Sequence, residues 1–308
     1  MPQVQLIQVA EEYAGQRLDN FLLREMKGVP KTRIYRALRK GEVRVNKGRA
    51  RPEYRLQQGD VVRIPPIRMA DQALPQQVPA RWVNLIKEQT VYSSSGLWVL
   101  NKPSGLAVHG GSGLSVGLIE CLRQLAPDER FLELVHRLDR DTSGCIMVAR
   151  KPSALKLLHK ALREDAIDKR YIALVSGYWP SGRKRIDAPL IKNTLQSGER
   201  MVRVSQEGKR SITEFKVLER FDEATLIEAR PVTGRTHQIR VHAQQAGHPI
   251  LGDAKYADDA ALALGKRLRL GRLFLHAASL NCVLKDLQFQ TTAPLETSLE
   301  LTLETLRG

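Results

Sequence analysis

The sequence predicts an α+β fold: a large domain with a mixed, mostly antiparallel β-sheet flanked by helices, preceded by a small basic domain. Two observations lead to this prediction. In the second part of the chain, short β-type runs alternate with few helical stretches, an order that fits an α+β architecture better than regular βαβ winding. In the first part, residues 24–68 hold 14 Lys or Arg and 4 Asp or Glu, so they supply +10 of the formal net charge of +16.

The basic segment predicts two helices followed by two short strands. Helical periodicity covers residues 17–26, and a second helix is expected between Pro30, which suits a helix start, and Gly41, which suits a helix end. The alternating stretches EVRVN and DVVRI, joined through turns that contain glycine, predict a hairpin.

The second predicted helix is strongly basic outside the apolar stripe that Ile34, Tyr35 and Leu38 form. A run of charges is often no more than a solvated face, and that interpretation stays open at this point. Two helices followed by a basic hairpin also resemble the αL-type RNA-binding module of a small-subunit ribosomal protein, whereas a DNA-binding helix-turn-helix would not predict the hairpin. The residues that this resemblance implies as RNA contacts are Lys31, Arg33, Arg36, Arg39, Lys40, Arg44, Lys47 and Arg49.

Prolines interrupt the chain after this segment. Four of them lie among glutamines between residues 65 and 79, and proline is disfavoured in helix interiors and in central strands. We therefore expect an extended linker. The predicted division is an αL-type domain at 1–70, a linker at 71–87 and the large domain at 88–308.

Six runs of the large domain have β character: LWVLNKP, CIMVARK, YIALVSGYW, SITEFKVLE, ATLIEARPV and LFLHAASL. Helical patterns are found chiefly at residues 153–164, 236–246 and 295–306, and a further helix is expected in GLIECLRQL. The sequence shows no internal repeat.

Composition limits the class of protein. A pI near 10.0 means that the chain attracts polyanions, of which nucleic acid is the first candidate. The three cysteines are far apart and show no C-x-x-C spacing, which argues against a disulfide framework or a zinc site and favours a reducing compartment. Because no signal peptide and no run of about 18 apolar residues occurs, we expect a cytoplasmic protein with no membrane partner. We also expect a monomer.

The sequence lacks the motifs of common cofactors. Neither a P-loop nor a G-x-G-x-x-G after a strand occurs, and His237 and His242 are five residues apart, which does not suit a helical zinc pair. Gly113 to Gly117 fits the G-x-S-x-G nucleophile elbow of hydrolases, but no apolar strand precedes it, so a loop leading into a helix is favoured. We therefore expect no metal and no small-molecule cofactor.

Residues able to carry chemistry stand in four separate segments. Taken alone, each has a structural explanation: surface ion pairs for the arginines, a core position for the tyrosine, and a helix N-cap for Asp141. Together they predict one site. The segments are HRLDRDTSG with His136, Arg137 and Asp139, KRY with Tyr171, GRTHQIRVH with Arg235 and Arg240, and RLFLHA with Leu275 and His276.

These motifs, with NKPSGLAVHGG and GHPILGD, resemble those of the RluA family of RNA pseudouridine synthases over nearly the whole chain. One departure is VYSSSGLWVL, where many relatives carry acidic residues, and it lies outside the catalytic motifs. The resemblance implies an enzyme that flips a uridine out of the RNA and isomerises it to pseudouridine. Such a reaction breaks and rejoins the glycosidic bond without redox change or group donation, so it needs no cofactor.

The resemblance also implies a role for each site residue. Asp139 is expected to be the catalytic carboxylate, either as nucleophile or as base on the sugar. Arg240 is expected to pair with it and keep it ionised, and Tyr171 to stack on the uracil. The other expected substrate contacts are Arg137, which would fill the gap left by the flipped base, Leu275, which would wall the pocket, His136 and His276.

The expected substrate is large-subunit (23S) ribosomal RNA or its precursor. The alternative is a non-catalytic, RNA-binding ribosome assembly factor with the same domains. Loss of Asp139 would favour that alternative, and the residue is present. An RNA methyltransferase would need a glycine-rich methyl-donor loop after a strand, which the sequence does not show.

Overall fold

The structure is a computed structural model that describes residues 3–26, 29–66, 78–110, 116–194 and 200–308. The chain divides into two compact units, Met1–Gln77 and Val78–Gly308. Within the described ranges, no helix has both the length and the apolar character needed to cross a membrane.

The smaller unit packs two helices against a three-stranded antiparallel sheet. In chain order its elements are β1 (Gln5–Gln8), a 3-10 turn (Glu11–Tyr13), α1 (Leu18–Glu25), α2 (Lys31–Lys40), β2 (Arg44–Val45) and β3 (Val61–Ile64). The strand order is β1-β3-β2. Both predicted helices and both predicted strands are confirmed, and α2 ends at Gly41 with φ +70°. Strand β1 was not predicted.

The larger unit is built on a ten-stranded mixed sheet with a separate hairpin. Its strands are β4 (Thr90–Ser93), β5 (Leu97–Lys102), β6 (Glu133–Leu134), β7 (Ser143–Ala149), β8 (Ile167–Ser176), β9 (Arg185–Asp187), β10 (Leu190–Thr194), β11 (Arg200–Val204), β12 (Ile212–Arg220), β13 (Ala224–Pro231), β14 (Leu275–Leu284) and β15 (Leu287–Thr292).

The sheet has the strand order β4-β5-β7-β14-β8-β13-β12-β9, with β6 beside β7 and β15 beside β14, while β10 and β11 form the hairpin. Strands β7 and β14 run parallel, and the other strand pairs of this sheet within the described residues are antiparallel. The predicted mixed, mostly antiparallel sheet is therefore confirmed.

Helices flank this sheet. They are α3 (Ala80–Ile86), α4 (Leu118–Leu125), α5 (Pro152–Arg163), α6 (Gln238–Gln245), α7 (Asp259–Arg267) and α8 (Thr297–Arg307). The predicted helices at 153–164, 236–246 and 295–306 are confirmed with ends that differ by one or two residues, as is the helix in GLIECLRQL. Helix α7 was missed, although Asp258 caps it by accepting a hydrogen bond from the backbone N–H of Ala261.

The structure differs from the predicted linker after residue 77. Residues 67–77 lie outside the described residues, but α3 follows almost at once, and Ile86 and Val78 are buried in the core of the larger unit. Pro79 occupies the N-cap of α3, where the helix requires no backbone donor from it. Proline here begins a helix, so residues 78–87 belong to the larger unit.

Two large apolar clusters form most of the core of the larger unit among the described residues, and Tyr171 on β8 packs against both of them. Strand β7 is buried at every residue. A loop that leads directly into β7 therefore has a rigid support at its end.

Candidate active site

The loop before β7 carries Asp139. Leu138, only 4% exposed, fixes this loop in the apolar core. Gly144, with φ +104°, lets β7 lie close to β14, because a side chain there would clash with the backbone of Ala277. The glycine that ends the motif is thus required by strand packing.

The buried ammonium of Lys102 holds the same loop. Its Nζ donates hydrogen bonds to the carbonyl oxygens of Pro103 at 2.8 Å, Leu106 at 2.9 Å and Arg140 at 3.0 Å. Burial lowers the pKa of Lys102 to about 7. The NKPSG segment therefore joins the end of β5 to the residue that follows Asp139.

A cavity of about 610 Å³ lies beside Asp139. Seven of the residues predicted to form the site line it: His136, Arg137, Asp139, Tyr171, Arg235, Arg240 and Leu275. Further lining cations are Arg163 and Lys169, and Asp139 is the one acidic residue among the described residues of the lining. A single carboxylate in a positively charged cavity suits an anionic substrate.

Two carboxylates share the guanidinium of Arg240. Its Nε and Nη2 each lie 2.7 Å from an oxygen of Asp253, and its Nη1 lies 3.4 Å from Oδ2 of Asp139. Asp253 is 1% exposed and also accepts the backbone N–H groups of Lys255 and Tyr256. Burial is the largest single influence on Arg240 and disfavours its charge, but the hydrogen bonds and charge of Asp253, together with the charge of Asp139, outweigh burial and raise the pKa of Arg240. Arg240 is therefore a fixed cation beside Asp139.

His237 offers a second donor to the carboxylate. Its Nε2 lies 3.7 Å from Oδ2 of Asp139, and its Nδ1 lies 2.7 Å from the hydroxyl of Tyr256. That hydroxyl accepts the backbone N–H of Val202, and when it donates its own proton to Nδ1, the ring proton of His237 stands on Nε2. Burial lowers the pKa of His237 and so favours the neutral ring, whose Nε2–H tautomer places an N–H beside Asp139.

Tyr171 and Leu275 form walls of the cavity from adjacent strands. In the antiparallel pair of β8 and β14, Tyr171 lies opposite Ala277 and Leu275 lies opposite Ala173. Burial, followed by the nearby charge of Asp139, raises the pKa of Tyr171, which keeps its ring neutral. An aromatic face and an aliphatic side chain beside a carboxylate suit a planar base.

Comparison with known proteins identifies the family of the chain. A family model described as RNA pseudouridylate synthase matches residues 96–245. The chain is 55% identical over 314 residues, 100% of this chain and 98% of the other, to the ribosomal large subunit pseudouridine synthase C of Salmonella typhi. It is 58% identical over 278 residues, 90% of this chain and 85% of the other, to the protein of the same name from Pasteurella multocida (strain Pm70). The chain belongs to the RNA pseudouridylate synthase family.

A solved structure and a second family model extend the comparison. The human RNA pseudouridylate synthase domain containing 4 shares 26% sequence identity with this synthase at a TM-score of 0.62, over 73% of this chain and 95% of that one. An S4 domain model matches residues 16–62, which include both helices and most of the hairpin of the smaller unit. The resemblance drawn from the sequence motifs and the predicted N-terminal module are therefore confirmed.

In the synthase, His276 lies away from the cavity, which corrects the predicted substrate contact. Its ring is fully buried, with Nδ1 2.8 Å from Oγ of Ser143 and Nε2 3.1 Å from the carbonyl oxygen of Ala293. Both nitrogens are thus used by the protein, and His276 joins β14 to the first residue of β7. Successive residues of a strand point to opposite faces, so when Leu275 faces the cavity His276 cannot.

His136 and Arg137 are neighbours with different environments. Nε2 of His136 accepts the backbone N–H of Met147 at 3.1 Å, and burial lowers the pKa of His136 to about 4. Its ring is therefore neutral and holds the loop to β7. Arg137 is exposed at the cavity, and its guanidinium makes no hydrogen bond or ion pair with any residue that the structure describes.

The smaller unit of the synthase presents a basic surface on α2 and the hairpin. Arg33 is half-buried, and its Nη1 lies 2.9 Å from Oε2 of Glu42, so part of its charge is neutralised. The remaining predicted RNA contacts are exposed: Lys31, Arg36, Arg39, Lys40, Arg44, Lys47 and Arg49.

Sequence analysis missed the residues that hold the site together. Asp253 stands in GHPILGD, which was recognised as a motif without a role, and Tyr256 follows three residues later. His237 was considered only as a metal ligand, and Lys102 only as part of a motif. For Asp253, His237 and Lys102 the available signal was a position inside a motif, and Tyr256 had no such signal. None of the four has a spacing that indicates a contact with Asp139.

Proposed function

We propose that this synthase isomerises uridines of large-subunit ribosomal RNA to pseudouridine. The family supplies the reaction. The choice of RNA is supported by relatives named ribosomal large subunit pseudouridine synthase C, which align with 90% and 100% of the chain. One observation carries the site assignment. The carboxylate of Asp139 lies in a cavity walled by Tyr171, with donor groups of Arg240 and His237 beside it.

The geometry supports a role for each group. A flipped uracil that stacks on Tyr171 against Leu275 would bring its ribose to Asp139, which acts either as a nucleophile or as a base on the sugar. Both chemistries use a carboxylate oxygen, and the cation of Arg240 lies 3.4 Å from Oδ2 of Asp139. Arg137 is exposed and unpaired within the described residues, which suits a side chain that enters the stack in place of the base.

The smaller unit would contribute affinity more than chemistry. Its exposed cations suit contacts with phosphates, and such contacts position a protein on RNA without reading the base. A non-catalytic assembly factor would need this basic surface but not the two donors directed at Asp139, so the enzyme is the better proposal.

Asp139→Asn tests the proposal because it keeps the shape of the side chain and removes its charge. Release of tritium from large-subunit RNA labelled at carbon 5 of uridine measures turnover. We expect less than about 1% of wild-type turnover, with RNA affinity unchanged within about threefold. The matched control is Asp141→Asn, the same change on a more exposed carboxylate that pairs with Arg140. It should keep near-normal turnover. A tenth or more of wild-type turnover in Asp139→Asn would remove Asp139 from catalysis.

Mapping of pseudouridines identifies the target. Ribosomal RNA from cells with and without this gene is compared by chemical detection of pseudouridine. The proposal expects specific large-subunit positions to lose the modification in cells without the gene. An unchanged set of large-subunit positions would contradict the choice of substrate.

A further inference from the structure

We propose that Lys169 and Arg163, which both line the cavity, bind phosphate and hold the RNA backbone next to the flipped uridine. This inference rests on the proposed function and adds a specific contact to it. The ligand is a phosphodiester group of the substrate RNA.

Strand β8 directs Lys169 into the cavity beside the stacking residue. Lys169 and Tyr171 are two residues apart, so they share a face of the strand, and both line the cavity. Their Cα atoms are roughly 7 Å apart, twice the rise of a strand residue. That separation resembles the distance from the base of a nucleotide to its own phosphates. A uracil held against Tyr171 therefore brings a backbone phosphate within reach of Lys169.

The ammonium of Lys169 has no anion of its own. Within the described residues it makes no hydrogen bond and no ion pair at 4.0 Å or less, although Asp165 and Asp168 act on it electrostatically. Those carboxylates are engaged elsewhere: Asp168 lies 2.6 Å from Arg170 and 2.7 Å from Arg230, and Asp165 lies 3.2 Å from Arg230.

Burial adds to the need for a ligand. It lowers the pKa of Lys169, which shows that the charged form loses hydration without full compensation from the protein. A phosphate would restore that compensation, since a charge-assisted hydrogen bond forms between an ammonium and a phosphate oxygen.

Arg163 supplies a second donor at the same cavity. It is the last residue of α5, its side chain is exposed, and it makes no hydrogen bond or ion pair with the part of the chain that the structure describes. A guanidinium binds phosphate oxygens through two parallel N–H groups, while an ammonium acts as a point charge. Two cations of different type in the lining of one cavity suit a phosphodiester better than a planar base.

The experiment combines a protein change with a backbone change. The RNA is the shortest large-subunit fragment that the wild-type synthase modifies, synthesised with one neutral methylphosphonate at the linkage 5′ or 3′ of the target uridine. Binding is measured with Asp139→Asn protein, with and without Lys169→Gln, so that turnover does not interfere. We expect Lys169→Gln to weaken binding of unmodified RNA on the order of tenfold, the loss of one charge-assisted hydrogen bond.

Coupling between the two changes locates the contact. At one of the two linkages, the neutral replacement should weaken binding by a similar factor when Lys169 is present, and by less than about twofold when it is Gln. Lys169→Arg keeps the charge and should restore the sensitivity to the neutral linkage. Lys285→Gln is the matched control, because this exposed lysine lies roughly 30 Å along β14 from Leu275. It should leave the sensitivity unchanged.

The subsite would be overturned if, at both linkages, the neutral replacement weakened binding by the same factor with and without Lys169. A Lys169→Gln protein whose affinity for unmodified RNA equals that of its parent would overturn it as well. Tritium release by the wild-type protein is measured separately. If the wild-type protein releases tritium while the affinity losses from Lys169→Gln and from the neutral linkages are independent, the subsite alone is wrong. If no large-subunit RNA releases tritium, the proposed function fails first.

Discussion

Arg240 is anchored by Asp253 more firmly than it is held by Asp139. Two 2.7 Å hydrogen bonds join it to the buried carboxylate of Asp253, whereas the contact with Asp139 measures 3.4 Å. A bidentate pair fixes the plane of the guanidinium as well as its position. One nitrogen is thus kept beside the catalytic carboxylate before substrate arrives, which is the condition for electrostatic stabilisation without reorganisation.

Asp253→Asn should slow the chemical step by about 10²-fold, because Arg240 loses its anchor and its orientation. Single-turnover rates on an RNA whose target uridine is unpaired measure this step without the cost of base flipping. Asp187→Asn, a change on an exposed carboxylate that pairs with Arg210, serves as control and should be near normal. A rate for Asp253→Asn within twofold of wild type would show that the anchor is not needed.

Arg240→Met should affect stability as well as rate. It leaves Asp253 buried without its cation, and losing one partner of a buried pair costs about 3–5 kcal/mol in the free energy of unfolding. Urea titration measures this loss. Because the damage lies at the carboxylates, the rate defect should be equal on paired and unpaired RNA substrates.

The pKa of His136 predicts a loss of stability in acid. It is about 4 in the folded protein, against an ordinary value of 6.5. Above pH 6.5 the ring is neutral in both states, and as the pH falls toward 4 only the unfolded chain takes up the proton, so the folded state is disfavoured. Between about pH 7.5 and about pH 5, the free energy of unfolding should therefore fall by about 1–2 kcal/mol less in His136→Gln than in the wild type. Parallel urea titrations at both pH values test this, and identical losses would contradict it.

The exposed arginines of α2 predict a salt-dependent contribution to binding. Arg36→Gln with Arg39→Gln should weaken RNA binding and lower the slope of log affinity against log salt by about 0.7 to 0.9 for each lost phosphate contact. Turnover at saturating RNA should not change. Lys266→Gln with Lys285→Gln, which removes the same charge from the larger unit, is the control. An equal change of slope in both double variants would argue against a special role for α2.

The sequence predicted those elements whose local pattern decides their structure. The apolar stripe and the flanking Pro30 and Gly41 define α2, and the buried run after Asp139 defines β7. The helix at Ala80–Ile86 was not predicted, because prolines usually mark extended chain and only packing of Ile86 into the core favours a helix there.

The motifs predicted which segments form the site but not how its residues pair. Asp139 and Arg240 are 101 positions apart in the chain, and nothing in their spacing indicates that Arg240 binds Asp253 more closely than Asp139. His276 was placed with the substrate because it follows Leu275, whereas the side chains of adjacent strand residues diverge. Such pairings depend on strand register and burial, which a motif does not specify.

Arg137 and Arg240 differ in a way that separates base flipping from chemistry. Arg240 is 5% exposed and fixed by two carboxylates, while Arg137 is exposed at the cavity and unpaired among the described residues. If Arg137 fills the gap that the flipped uridine leaves in the stack, its contribution to the rate depends on how strongly that uridine was stacked. Extrusion from a paired stem costs a few kcal/mol and much less from an open loop.

Arg137→Ala should therefore slow single-turnover modification by about 10- to 100-fold when the target uridine is paired, and by less than about threefold when it is already unpaired. Two RNAs that differ only in the strand opposite the uridine provide the comparison. Arg240→Met is the internal reference, because it acts on the carboxylate and its defect should be the same on both RNAs. Equal defects for Arg137→Ala on the two RNAs would mean that this arginine binds RNA without replacing the base. A defect confined to the paired RNA would assign it to extrusion, since only that step differs between the substrates.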